Sequence, residues 1–175
     1  MHPELARTLH VIEAQVEGMS PEALERHPPG KWSVAGILEH LAITFDGTRR
    51  NFQKCLDTGT RRATRATLRQ RLSVLLVVEL GHFPTGVQAP APTVPKGLPG
   101  PAALQAIRDN LEAMDRAMLE CEATFGMRRP IADHPILGPL SLRQWRRFHW
   151  VHTQHHMRQI AARRRDGLVP SSAQR

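Results

Sequence analysis

At 175 residues, with 41% hydrophobic and 5% aromatic residues and no tyrosine, the chain suits one domain with a Leu, Ile, Val, Met and Ala core. That composition favours helices over a β-sandwich and leaves no room for two ordinary domains. The net charge of +8 and pI near 11.1 come largely from arginine runs, but these are scattered, lack interleaved aromatics and match no nucleic-acid motif, so solvated helix faces are expected and a nucleic-acid partner is not.

In chain order, Pro3 suits the first turn of a helix that runs to Val16 and stops at Glu17-Gly18, with Leu5, Leu9, Ile12 and Val16 inward. Ser20-Pro21 starts a short extra helix, which His27-Pro28-Pro29-Gly30 breaks. A second long helix is predicted from Ser33 as N-cap to Leu56, with Gly59 beyond it and Val34, Ile37, Leu38, Leu41, Phe45, Thr48 and Phe52 as its buried stripe. Leu68, Leu72, Leu75, Leu76 and Leu80 predict a further helix over 64–80, although Val74 to Val78 also suits a strand. Residues 81–101 form a Pro/Gly-rich loop, long enough to act as a lid or as a plain connector. From Pro101 the steps Leu104, Ile107, Leu111, Met114, Met118, Cys121 and Phe125 mark a core seam that Gly126 ends.

Residues 128–139 are expected to connect the seam helix to the last helix. Leu140, Ser141, Gln144 and Trp145 then supply a hydrophobic staple and a capping box, predicting a last helix to about Arg165 and a frayed tail over 169–175. Residues 1–168 thus read as a single domain. Cys55 and Cys121 fall on separate predicted helices without Cys-x-x-Cys spacing, so buried, reduced thiols are expected. The start of the chain lacks a basic segment followed by an apolar one, and the aliphatic run from Leu72 to Val78 is too short to span a bilayer. A cytoplasmic protein with no membrane partner is the expectation.

The last helix carries histidine where a bundle helix ordinarily carries leucine. Continuing inward from Trp145 come His149, His152, His156 and Gln159. Imidazoles on a buried face need partners, because each ring holds a donor and an acceptor. His152 and His156, four apart, place two rings one turn from each other and can bind one ion. His40, on the margin of the second helix's apolar stripe, can supply a third. Three neutral imidazoles prefer zinc, nickel or ferrous iron and leave coordination positions open. No Glu follows His152, where Thr153 stands, so a His-Glu-x-x-His peptidase is not expected.

The segment Trp32 to Ala42, followed more than a hundred residues later by His152 to Ile160, resembles the DinB-like superfamily. The resemblance covers about residues 4–165, and the His134-Pro135 loop is similar to that of a subgroup without an assigned reaction. It implies an all-α four-helix bundle of up-up-down-down connectivity, with a divalent metal on His40, His152 and His156 and with Gln159 at the position of a commonly occurring glutamine. Glu39, Asp46 and Gln159 are candidates to orient an imidazole as second-layer partners. His149 is the candidate catalytic residue, lining the pocket as a proton carrier, with a hydrogen-bonded core role as its alternative; His155 is expected on the outer surface and His134 in a turn.

The resemblance further implies a metal-dependent enzyme on small molecules, most plausibly an S-transferase with a low-molecular-weight thiol as co-substrate and basic groups attracting an acidic one. The alternatives are a non-catalytic structural or sensing metal bundle and an arginine-rich nucleic-acid-binding bundle. A homodimer through outer helix faces is compatible with this size.

Overall fold

A computed structural model describes residues 1–84, 86 and 88–168 of the chain; the expected tail over 169–175 lies outside them. Four long helices form an all-α bundle: α1 (Pro3–Val16), α3 (Val34–Thr58), α5 (Gly100–Phe125) and α6 (Leu142–Leu168), with α2 (Pro21–Glu25) and α4 (Leu68–Val74) as shorter pieces. α3 and α5 make the most extensive packing, and α1 lies mainly against α6. Among the described residues no helix is long and apolar enough to cross a membrane.

The helix starts follow local chemistry. Ser33 Oγ accepts from Gly36 N–H at 3.0 Å to open α3, and Gly59 closes it at φ 63°, where its N–H reaches the Cys55 and Leu56 carbonyls. At α6, Ser141 Oγ accepts from Gln144 N–H while Gln144 Oε1 accepts from Ser141 N–H, the reciprocal pair the sequence predicts. The α5 seam is buried as expected at Ile107, Leu111, Met114, Met118 and Cys121. Both thiols are free and buried.

Two segments depart from expectation. The predicted helix over 64–80 begins only at Leu68, behind a Thr67–Gln70 capping box, and widens into a π-helical turn over Leu75–Glu79, with Leu80 N–H bonded to Leu75 O. Its leucines point outward: Leu68 is 75% and Leu80 67% exposed, while Val77 and Val78 are the buried contacts. Leucine periodicity identified the helix but not the face that docks. The connector over 128–139 carries strands that local pattern does not announce: β1 (Pro130–His134) pairs antiparallel with β2 (Gly138–Ser141), matching Ala132 with Leu140 and His134 with Gly138. Three prolines and a register irregularity near Pro130 mask the alternation that normally betrays a hairpin.

The arginine runs are partly spent on tying elements together. Arg143 pairs with Glu79 and Arg147 Nε donates to Val78 O. Arg146, only 2% exposed, is not solvated: its Nη2 meets Glu122 Oε2 at 2.7 Å. A buried guanidinium stripped of its counter-charge is costly. Glu122→Gln should therefore lower stability by about 2–3 kcal/mol, read as a lower urea midpoint with an unchanged slope. A midpoint equal to wild type would mean the pair contributes nothing.

Candidate metal centre

α3 and α6 bring together three imidazoles that the sequence separates by 112 and 4 positions. His40, His152 and His156 are all buried, and their ligand nitrogens lie within 4.8 Å of one another. His152 Nε2 stands 3.2 Å from His40 Nε2 and 3.0 Å from His156 Nε2. Nitrogens held about 2.0–2.1 Å from a tetrahedral zinc are roughly 3.3 Å apart, close to the two spacings that His152 makes.

Proton bookkeeping makes the same point. His40 Nδ1–H donates to the Thr93 carbonyl at 2.7 Å and His156 Nδ1–H donates to Gln159 Oε1 at 2.9 Å. Their Nε2 atoms therefore present lone pairs toward His152. One proton on His152 Nε2 can bridge only one of its two contacts, leaving lone pairs opposed at the other. A cation among the three removes that repulsion, so this donor set fits a divalent ion.

Burial keeps the rings neutral. It lowers His40, against the opposing pull of the Thr93 carbonyl, and lowers His156 to about 3, with neighbouring His40 adding to the effect. His152 is held well below the usual range by burial and then by His156 and His40. Neutral imidazole is the metal-binding form.

The centre opens on a cavity of about 700 Å³. Trp32 packs against His40 with ring centroids 5.1 Å apart, Phe83 against His152 at 5.5 Å, and Phe148 stacks on His152 at 5.4 Å. These rings line the cavity beside the imidazoles.

The other candidates divide. Gln159 touches His156 as a second-layer partner and donates through Nε2 to His155. Glu39 does not orient an imidazole directly: its Oε2 accepts from Gly97 and Leu98 N–H, both at 2.9 Å. Asp46 points elsewhere, pairing with Arg49 and Arg50 on its own helix. His149 is fully buried, its Nε2 3.1 Å from Thr48 Oγ1 and its ring stacked on Trp145. It is absent from the cavity lining, a placement that favours the core role over proton carriage. His155 is half-buried on the cavity wall against Phe83, not on the outer surface. His134 has its turn role, Nδ1 accepting from Ile136 and Leu137 N–H, and also lines the cavity.

Thr93 is the functional contact that sequence reasoning missed. A backbone carbonyl has no residue-type signature, and the length of the Pro-rich loop was its only trace. Trp32, which the sequence marks only as the start of the family-like segment, also faces the site.

His134 and His149 predict the acid behaviour of the fold. Burial lowers His134 to about 4, and burial followed by His134 lowers His149 to about 3. Both stay neutral in the folded protein while the unfolded chain protonates them near 6.5. Their stabilising contribution is therefore full above pH 6.5 and is lost as pH falls toward 4 and below. In His134→Asn, the amide oxygen can keep the turn hydrogen bonds but does not titrate, so the fall in melting temperature between pH 6.5 and 4 should be shallower. An identical pH profile would contradict this.

A family model of the DinB superfamily matches residues 4–160, a span that includes all three histidines. No curated protein and no solved structure matches the chain.

Proposed function

The chain belongs to the DinB superfamily, and from that premise we propose that it is a metal-dependent enzyme acting on small molecules, of the thiol-dependent S-transferase type. The observation that carries this reading is the convergence of three Nε2 atoms at the wall of a cavity large enough for a substrate. His40, His152 and His156 hold the ion, zinc or nickel being favoured by three neutral nitrogens. Gln159 and the Thr93 carbonyl hold two of the rings in the tautomer that directs Nε2 inward. When bound, the ion supplies a Lewis-acid position that lowers the pKa of a thiol.

The protein's own side chains supply the rest. Trp32, Phe83 and Phe148 exclude water from the imidazole end. Lys31, Arg50, Lys54 and Arg163 line the cavity against one carboxylate, Asp133, and favour an acidic co-substrate. Thr153, where a zinc peptidase has its general base, is buried and lies outside the cavity lining.

The test is direct. Protein carrying one equivalent of zinc or nickel is offered small thiols with alkylating and epoxide electrophiles, and free thiol is followed with time. Consumption in the wild type and none in His152→Ala is expected. If no thiol is consumed with any electrophile at full metal loading, the enzymatic reading fails and a structural or sensing metal role replaces it.

A further inference from the structure

The cavity is far longer than an ion and a small thiol require. One face of α3 lines it from end to end: between His40 and Lys54 come Ile43, Thr44, Gly47, Thr48 and Asn51, at spacings that keep them on one stripe. Fourteen residues of helix correspond to about 21 Å. The imidazoles stand toward one end of this trough, with Ile37, Gln159, Lys31 and Arg163 beyond them, and Arg50 and Lys54 stand at the other end.

Its middle is walled mainly by apolar groups, Ile43, Pro135, Ile136 and Phe148, and the hydroxyls of Thr44 and Thr48 there are hydrogen-bonded to Leu41 O and His149. Gly47 lies halfway along the stripe, inside a 25-residue helix. Glycine is among the weakest helix formers, and packing gives it no reason here, since a Cβ at Gly47 would meet nothing within 4 Å. A glycine that no neighbour requires, on the floor of a cavity, keeps that floor low.

The far end is basic. Arg50 shares the Asp46 carboxylate with Arg49. Lys54, one turn on, is exposed and forms no ion pair among the described residues. Asp133, the acid at that end, accepts from Thr64 N–H through Oδ1.

We propose that the trough takes an extended organic anion, with a ligating head at His40, His152 and His156, an apolar body over Gly47, and its anionic end between Arg50 and Lys54. This rests on the reading of the histidines as an open metal centre and adds the shape and polarity of the ligand. It makes Gly47 and Lys54 determinants of specificity, acting on length and on terminal charge respectively.

Calorimetric titration of zinc-loaded protein tests it with straight-chain mercaptocarboxylates, from mercaptoacetate to mercaptohexadecanoate, beside alkanethiols of matched length and dicarboxylates. Affinity should rise with chain length until the trough is spanned, and long mercaptocarboxylates should bind at least 10-fold tighter than methyl-ended thiols of equal length. Lys54→Met should erase that preference. Gly47→Leu should weaken the long ligands at least 10-fold and leave mercaptoacetate and zinc affinity unchanged. Equal binding of carboxylate-ended and methyl-ended chains, indifference to length, or no binding of any chain overturns the proposal. Dicarboxylates that follow the same length and variant pattern as tightly as mercaptocarboxylates would support the trough while removing the preference for thiol.

Discussion

Replacing His152 by alanine is expected to lower zinc or nickel affinity by more than about 100-fold while leaving the bundle folded. His152 Nε2 is the central member of the cluster, within 3.2 Å of both other ligand nitrogens, so its loss leaves two imidazoles with no shared vertex. Loss of an outer-layer partner alone typically costs 10–100-fold, and loss of a ligand should exceed that. The fold should survive, because α6 is also held by its capping box, by Trp145 and Ile160 in the core, and by the Arg146–Glu122 pair. Competition against a chromophoric chelator gives the affinity and circular dichroism the helix content. Metal should raise the melting temperature of the wild type, since a ligand at 100 times its Kd adds about 2.7 kcal/mol, but not that of the variant. Wild-type affinity in His152→Ala would remove the metal centre from this protein.

Glu39→Ala should be strongly damaging although Glu39 does not touch the imidazole cluster, costing about 2–4 kcal/mol and weakening metal binding about 10-fold. The Glu39 carboxylate is 6% exposed and accepts two backbone N–H bonds from Gly97 and Leu98. Those residues end the Pro-rich loop whose Thr93 carbonyl accepts the hydrogen bond from His40 Nδ1–H. Alanine leaves both N–H groups without their acceptor and frees the loop, so the His40 tautomer loses its support. Burial pushes the Glu39 carboxyl up, but the backbone amides of 96–98 more than offset it and the pKa is lowered. The stabilisation is thus present above the ordinary value of 4.5 and lost as pH falls through the lowered one. Glu39→Gln retains one acceptor oxygen without the titration, so it should be milder than alanine and flatten the acid limb below pH 4.5. Equal stability and equal metal affinity in Glu39→Ala would show that the loop is held by other contacts.

Caps at Ser33 and Ser141, the stop at Gly59, the α5 seam and the His152–His156 pair all depend on residues within one or two helical turns, where spacing and side-chain chemistry are sufficient. The resemblance added His40 as their partner, which a margin position on one helix suggested and did not compel. Where expectation and structure part, the deciding contact crosses the chain. Glu39 and Asp46 are both acids on the histidine-bearing helix, yet one meets a loop 58 residues away and the other its own arginines. His149 and His155 are both imidazoles beside the pair, yet one is sealed in the core and the other lines the cavity.

The chain's own pattern thus determined a helical bundle, its helix ends and two inward imidazoles, because periodicity and capping are properties of neighbouring residues. Tertiary structure alone decided that the leucines of α4 face outward, that residues 130–141 pair as a hairpin, and that a backbone carbonyl at Thr93 orients His40. Those outcomes depend on where distant segments meet, and a backbone acceptor or a docking face carries no mark in the identity of its residues.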